Sequence, residues 1–479
     1  MIRFEGRVTP GQRRRSPYVY LPFDVPAGAE RVSVRYGFED GSILDLGLLD
    51  PTAGPFPSLT GFRGWSGSAR REVHVAAADA TPGYMAGPLQ AGRWQVVLGL
   101  ARVAAAGCAY RVEVDVGRGD APAAGTAAAA APAVGRRAPG ATGRVGAVRA
   151  GAGWYRGDLQ SHTFHSDARA SVAELAAEAR ARGLDFLAVT DHNTVSHHAE
   201  LPLNSASDLL LVPGEEVTTY RGHANVWGVA GWVDFRIERP GDLDVLVAQV
   251  HARGGLFSVN HPKTQPGCIG CDWEYPVPGG ADAMEAWQGP WALGNWESLA
   301  RYDALLREGR RLTLVGGSDR HHPGASRVDP PLLQVGSPTT WLELEELSTP
   351  AVLTAIRAGR AYVSEGPGGP RLELSVGGAG MGGTVGAGPP VVARARVEGA
   401  TGDVLRWVGT AGVVRETALG SDDVTDAFEW VPAGAFLRCE VVARASLPAL
   451  EAELRTFAAG PHFPSYLSVA DVLAHPWRR

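Results

Sequence analysis

Apolar and polar positions alternate one for one through much of the first 116 residues. Val32, Val34, Tyr36 and Phe38 carry one such run, Trp94, Val96, Leu98 and Leu100 a second, and Tyr110, Val112, Val114 and Val116 a third. A period of two puts one face of each strand on a core and the other in solvent. Gly- and Pro-rich breaks separate the runs, so residues 1–116 are expected to form an antiparallel β-sandwich. Residues 117–153 are rich in Ala, Gly and Pro and hold almost no large apolar side chain, which reads as a linker.

The pattern changes at Trp154. Ser171 and Glu174 have the spacing of a capping box, ahead of a helix through AELAAEARAR that Gly183 ends. LDFLAVT is apolar throughout, as a strand buried on both faces must be. Further strand-like runs follow in LLLVPGEEV, HANVWGVA, LFSVNHP, AMEAWQG and RLTLVGGSD. Helical runs lie among them in DLDVLVAQVHARGG and NWESLARYDALLREG, and a last one falls near 349–358. Repeated strand–helix units predict a β/α barrel or a doubly wound sheet over 154–366. Residues 367–479 return to alternation in RLELSV, VVARARV, VLRWVG and FLRCEVVARA, which predicts a second small sandwich near 370–446. The tail that carries Phe457, Phe463 and Tyr466 is expected to pack back on the rest. The whole is thus a multidomain chain, α/β in the middle and β at both ends.

Charge narrows the function classes. A net charge of −6 offers no general attraction to nucleic acid or to an anionic membrane, so neither is expected as a partner. No run of about 20 apolar residues is present. The first residues lack the apolar stretch of a secretory signal, so a cytoplasmic location is expected. The four cysteines are too few for a disulfide framework in a chain of 479 residues, and a reducing compartment is the default.

Histidine changes the picture most. Ten of the 13 histidines fall between His162 and His322. Gln160, His162, His165 and Asp167 follow the first strand of the middle region, and Asp191 and His192 end LDFLAVT. Glu215 and Glu216 close LLLVP, His223 opens the next strand, His261 ends LFSVN, and Asp319, His321 and His322 follow RLTLVGGS. Most of these are carboxyl ends of strands, where α/β barrels build their sites. Imidazoles and carboxylates gathered in this way suit divalent cations with mixed N and O ligands, Zn, Mn or Fe. Asp158 and Asp191 are expected to orient ligands rather than to be ligands. His197, His198 and His251 read as solvated, and a structural role is the favoured reading for His165.

GDLQSHTFHSD, TDHN, PGEEVTT, GHANVWG, NHP and GGSDRHH together resemble the motifs of the polymerase and histidinol phosphatase (PHP) family. In order and spacing they are most similar to its CehA/McbA-like metallohydrolase branch. The resemblance spans 154–366 and implies a distorted (β/α)7 barrel, flanked here by the two β-sandwich domains, with two or three divalent metal ions and hydrolysis of phosphoesters. It also implies the ligand sets: His162, Glu216 and Asp319 for one metal, His223 and His261 with a bridging Glu216 for a second, and Asp167, His192 and His321 for a third. The family pattern picks Glu216 over Glu215 by its distance from Gly214. Where the family's first motif reads His-x-His, this chain has Gln160-x-His162, a neutral and weak ligand that leaves the first metal loose or absent.

Lys263, the sole lysine, and Arg320 are candidate catalytic cations for neutralising a phosphate or a developing oxyanion. Cys268 and Cys271 form a single CxxC in the loop after His261, open to a turn, an oxidisable pair or a metal role. Trp273, Tyr275, Trp287, Trp291 and Trp296 suit core packing first and an aromatic pocket second. The expected function is a metal-dependent phosphoesterase on a small-molecule phosphomonoester or phosphodiester. A carbamate or carboxyl ester hydrolase with the same centre is the alternative, and a non-catalytic metal-binding protein with a relic barrel is a third reading. Oligomeric state is not legible in the sequence.

Overall fold

The structure is a computed structural model that describes residues 1–117, 148–321, 334–443 and isolated short stretches between 452 and 475. Most of the segment read as a linker, His322, His462, Phe457, Phe463 and Tyr466 lie outside the described residues.

Eight strands fill the first 117 residues: β1 (Ile2–Val8), β2 (Tyr18–Val25), β3 (Arg31–Phe38), β4 (Ile43–Leu49), β5 (Phe62–Gly67), β6 (Glu72–Ala76), β7 (Gly92–Arg102) and β8 (Cys108–Gly117). They form two four-stranded antiparallel sheets, β1-β8-β3-β6 and β2-β7-β4-β5. One hydrophobic cluster joins the sheets, with Val32, Val34, Tyr36, Trp94, Val96, Leu98, Val112 and Val114 all buried in it. The alternating residues therefore bury the face that their pattern marks. Strand β7 departs from the pattern in its second half, where both faces are buried. Val97 on the far face, with Tyr18, Leu49 and Trp65, belongs to a second cluster that is mostly built by the middle region.

The middle region is a nine-stranded, nearly closed mixed sheet. Its strands are β9 (Arg149–Asp158), β10 (Phe186–Val189), β11 (Leu210–Thr219), β12 (Gly222–Trp227), β13 (Leu256–Val259), β14 (Ala283–Gln288), β15 (Thr313–Gly317), β16 (Thr339–Leu347) and β17 (Ala361–Ser364), in the order β15-β14-β13-β12-β11-β10-β9-β16-β17. The Thr340 hydroxyl on β16 donates to the Gly316 carbonyl on β15 at 2.7 Å and accepts from Gly316 N at 2.9 Å, which ties one end strand to the strand next to the other end. The sheet differs from seven parallel strand–helix units. Strands β11 and β12 form a hairpin, and β12, β16 and β17 run antiparallel to neighbours. Strand β9 also begins at Arg149, inside the stretch read as linker, because it pairs back to Leu347 on β16.

Helices α1 (Pro10–Arg15), α2 (Val172–Ala181), α3 (Leu201–Asn204), α4 (Asp242–Ala252), α5 (Asn295–Arg307) and α6 (Thr349–Ala358) complete these parts. Helix α2 starts on the expected capping box: Ser171 Oγ accepts from Glu174 N at 3.2 Å, and Glu174 Oε2 accepts from Ser171 N at 2.8 Å. Beyond residue 370, β18 (Arg371–Val376), β19 (Val391–Glu398), β20 (Val404–Gly409), β21 (Gly412–Ala418), β22 (Asp423–Trp430) and β23 (Leu437–Val442) make two three-stranded sheets around buried Trp407, Leu405 and Val397. Arg438 grips Asp303 of α5 with two hydrogen bonds of 2.7 Å each. No described helix is long and apolar enough to cross a membrane.

Candidate metal centre

The sheet delivers one functional side chain after another to one end. His162 and Asp167 lie in the turn after β9, His192 lies just past β10 beyond Thr190 and Asp191, and Glu216 is in β11. Strand β12 runs the other way, so its first residues, with His223, come to the same end opposite Thr218. His261 follows β13, and Asp319 and His321 follow β15. Short parallel bridges, His192 to Glu216 and Ser161 to Arg320, extend the sheet into the site.

Glu216 is the hub. Its Oε2 lies 2.8 Å from His192 Nδ1 and 3.5 Å from His162 Nε2, and its Oε1 lies 3.4 Å from His223 Nδ1 and 3.5 Å from His261 Nε2. Asp319 Oδ1 is 2.8 Å from His162 Nε2, and Asp167 Oδ1 is 3.4 Å from His321 Nε2 and 3.6 Å from His192 Nε2. The two Nε2 atoms of His192 and His321 are 3.2 Å apart. Three groups bring ligand atoms within 4.8 Å of one another: His162, His192 and His321; Glu216, His223 and His261; and His162, Glu216 and Asp319. All eight residues named as metal candidates are thus gathered at one place, with Asp167 and His321 at the exposed side.

Charge balance explains why the cluster suits cations. Burial and the neighbouring His321 and His192 push His162 down, which keeps its imidazole neutral. Burial opposes the charge on His192, but Asp167 and Glu216 prevail and hold it up at about 10. Burial likewise opposes His321, which Asp167 and Asp319 hold up at about 9. Burial also works against Glu216, and His192 and His223 bring it well below the usual carboxylate range. Protons on imidazoles here do the work that divalent ions do when bound, and ligand binding must release them. The donor set fits such ions on a further observation. His162 Nδ1 and His223 Nε2 are buried with no hydrogen-bond partner among the described residues, which costs free energy unless something else satisfies them.

Supporting side chains fix the ligands. Asn260 Nδ2 donates to Glu216 Oε1 at 2.9 Å, Gln288 Nε2 donates to Asp319 Oδ2 at 2.8 Å, and Glu285 Oε2 accepts from His261 N at 3.0 Å. Cys271 O lies 3.3 Å from His261 Nδ1; a proton held there leaves Nε2 free to ligate. Cys268 and Cys271 are joined as a disulfide. His261 and Asp319 have φ of 26° and 53°, a left-handed backbone that ordinary residues avoid. Such outliers cluster where a site needs them.

The other candidates have different places. Asp158 Oδ1 accepts from Gln160 N and Ser318 N, and its Oδ2 accepts from Gly336 N, so it pins the loops that carry ligands. Asp191 accepts from the backbone and hydroxyl of both Thr163 and Ser166. Glu215 turns away and accepts from Val233 N at 2.8 Å. His165 is held by Ser196 and Glu200. The solvated reading of two histidines needs correction: His197 is fully buried against Asp191 at 3.0 Å, and His198 is half-buried against the Gly214 carbonyl. Their helical turn folds under β10, which a short polar run does not reveal. His251 is exposed.

Lys263 is buried, with Nζ 2.9 Å from Asn295 Oδ1 and 3.4 Å from the Gln288 carbonyl. Burial brings it down to about 7 despite Glu285 and Asp319. Arg320 is buried too, and its carbonyl accepts from His162 N. Trp273, Tyr275, Trp287 and Trp291 are buried in core clusters. Sequence reasoning missed Asn260, Glu285 and Gln288. Polar residues within or just after an apolar strand, as Glu285 and Gln288 in AMEAWQ and Asn260 after LFSV, were the available signal.

No family model and no curated protein matches the chain. Among solved structures, a two-domain protein from Bacteroides vulgatus containing a predicted PHP-like metal-dependent phosphoesterase is similar over 59% of this chain and 88% of its own, at 17% identity and a TM-score of 0.37. An amidohydrolase from Chromobacterium violaceum, with bound sulfate and no metal, is similar over 37% of this chain and 93% of its own, at 16% identity and a TM-score of 0.26. Similarity at this level leaves the chemistry to the residues themselves.

Proposed function

We propose that the chain is a metal-dependent hydrolase of the PHP type, a β/α barrel between two small sandwich units, that cleaves a small-molecule phosphomonoester or phosphodiester. One observation carries the reading: five imidazoles and two aspartates converge at one end of one sheet around a single buried glutamate. Divalent ions bound there supply Lewis acidity, toward the ester and toward water alike. His162, His192, His223, His261, His321, Glu216, Asp319 and Asp167 would hold them, and Asn260, Gln288, Glu285 and Asp158 keep those ligands in place. Asp167 and His321 are the most exposed of the set, so the scissile bond is presented on their side.

The test is metal analysis of the purified protein and an assay on aryl phosphates and bis-aryl phosphates. Metal-dependent release of the phenol is expected, with a loss of about 100-fold or more in the His261→Ala variant. Absence of bound metal, together with unchanged turnover in that variant, would sink the proposal. A carboxyl or carbamate ester is the second reading, favoured by Lys263, whose ammonium is taken up by Asn295 Oδ1 and the Gln288 carbonyl rather than left free for a phosphate dianion. Aryl esters turned over far faster than their phosphate analogues would select it.

A further inference from the structure

We infer that the centre holds two divalent ions per chain and that Gln160 excludes a third, an inference that rests on the metal-hydrolase reading above. The ligands divide into two groups that share no residue, His162 with His192 and His321, and Glu216 with His223 and His261. Both can be filled at once. The third group, His162, Glu216 and Asp319, borrows one ligand from each of the others and adds only Asp319.

Gln160 stands in that third position. Its Nε2 donates to Glu216 Oε1 at 3.0 Å and to Asp319 Oδ1 at 3.2 Å. The amide nitrogen therefore lies against one oxygen of each acid of that third group, with its hydrogens on both. Ionised carboxylates only accept hydrogen bonds, so the pair fixes which way the amide faces. Oε1 is buried with no hydrogen-bond partner among the described residues. Turning the amide over would set an oxygen against two carboxylate oxygens. The side chain has little room to withdraw. Its backbone N donates to Asp158 and its carbonyl accepts from Asp319 N, while Gly317 lies so close that a Cβ there would come within 2.6 Å of Gln160 Cβ. Gln160 is thus a neutral strap across two acids, and it takes the place of charge.

The experiment is a count. The protein is stripped with a chelator, Mn²⁺ is returned by equilibrium dialysis, and bound ions per chain are measured, with circular dichroism as the check on folding. Two tightly bound ions are expected for the wild type. Three are expected for Gln160→His, and for the near-isosteric Gln160→Glu should the histidine fail to fold. A wild-type count of three overturns the inference, since the amide must then have turned over to ligate. A count of two in the folded variants overturns it as well, because residue 160 would not be what limits occupancy. A wild-type count of one defeats the inference alone, whereas zero defeats the metal-hydrolase reading with it.

Discussion

Asp45 shows how a single residue can carry a pH dependence. It lies on β4, buried, with the Tyr220 hydroxyl donating to its Oδ2 at 2.6 Å. Burial pushes its carboxyl up to about 6. The folded state therefore binds this proton more tightly than the unfolded chain does. Its contribution is fully present below about pH 4, the unfolded value, and is lost as the pH rises through about 6. Asp45→Asn keeps an acceptor for Tyr220 and removes the buried charge. Thermal melts should show it stabilised by on the order of 2 kcal/mol at pH 7.5 and unchanged near pH 4; an equal effect at both values would refute the assignment. Asp191 is the opposite case, a buried carboxylate whose four hydrogen bonds to Thr163 and Ser166 and whose contact with His197 shape the turn carrying His162 and Asp167. Asp191→Ala should cost about 3–5 kcal/mol by urea denaturation, because it leaves buried donors and one nitrogen of a buried imidazole unpartnered. A cost under 1 kcal/mol would show that water replaces the carboxylate.

At the scale of elements, the strands approach one another most closely beside the site. A Cβ on Gly317 of β15 would stand 2.6 Å from Gln160 Cβ and 2.9 Å from its backbone N. Gly317→Ala must therefore push β15 away from the loop after β9. A loss of about 1–3 kcal/mol is expected in chemical denaturation, and metal content should fall with it. Unchanged metal and stability would mean that the sheet is looser than it looks. Much at this scale was legible in the sequence. The capping box at Ser171 is local chemistry within four residues, and α6 and the buried β10 follow from period and apolar run alone. The hairpin of β11 and β12 was not legible as such, since both strands read as apolar runs and direction leaves no mark on composition. Asn260, Gln288 and Glu285 were missed for a related reason. Their importance lies in which side chain stands across the barrel, and one-dimensional spacing does not record that.

At the scale of the whole molecule, the first two parts of the chain share one core. Trp65 packs edge-on to Phe235 with ring centroids 4.7 Å apart, Phe62 stacks on Trp232 at 4.6 Å, and the Asp234 carboxylate accepts from Ser58 N at 2.9 Å. Tyr18, Leu49, Trp65 and Val97 from the two-sheet part share a core with Trp232, Val233, Phe235 and Ile237. Calorimetry should therefore show the two parts unfolding in one transition, with Trp232→Ala lowering it as a unit at a cost of about 3–5 kcal/mol. Two resolved transitions, only one of them moved by the substitution, would overturn this. The alternation in β7 predicted a core on one side and solvent on the other, and it could not report that a neighbouring part covers the second side. That doubly covered strand also bears on how such a chain can be assembled. The Ala-, Gly- and Pro-rich composition of 117–153 suggests a seam where a module could be exchanged by recombination, yet a foreign barrel joined there would meet Val97 and Trp65 with the wrong surface. The first part is heritable only together with the barrel it covers, and their interface residues must change in concert.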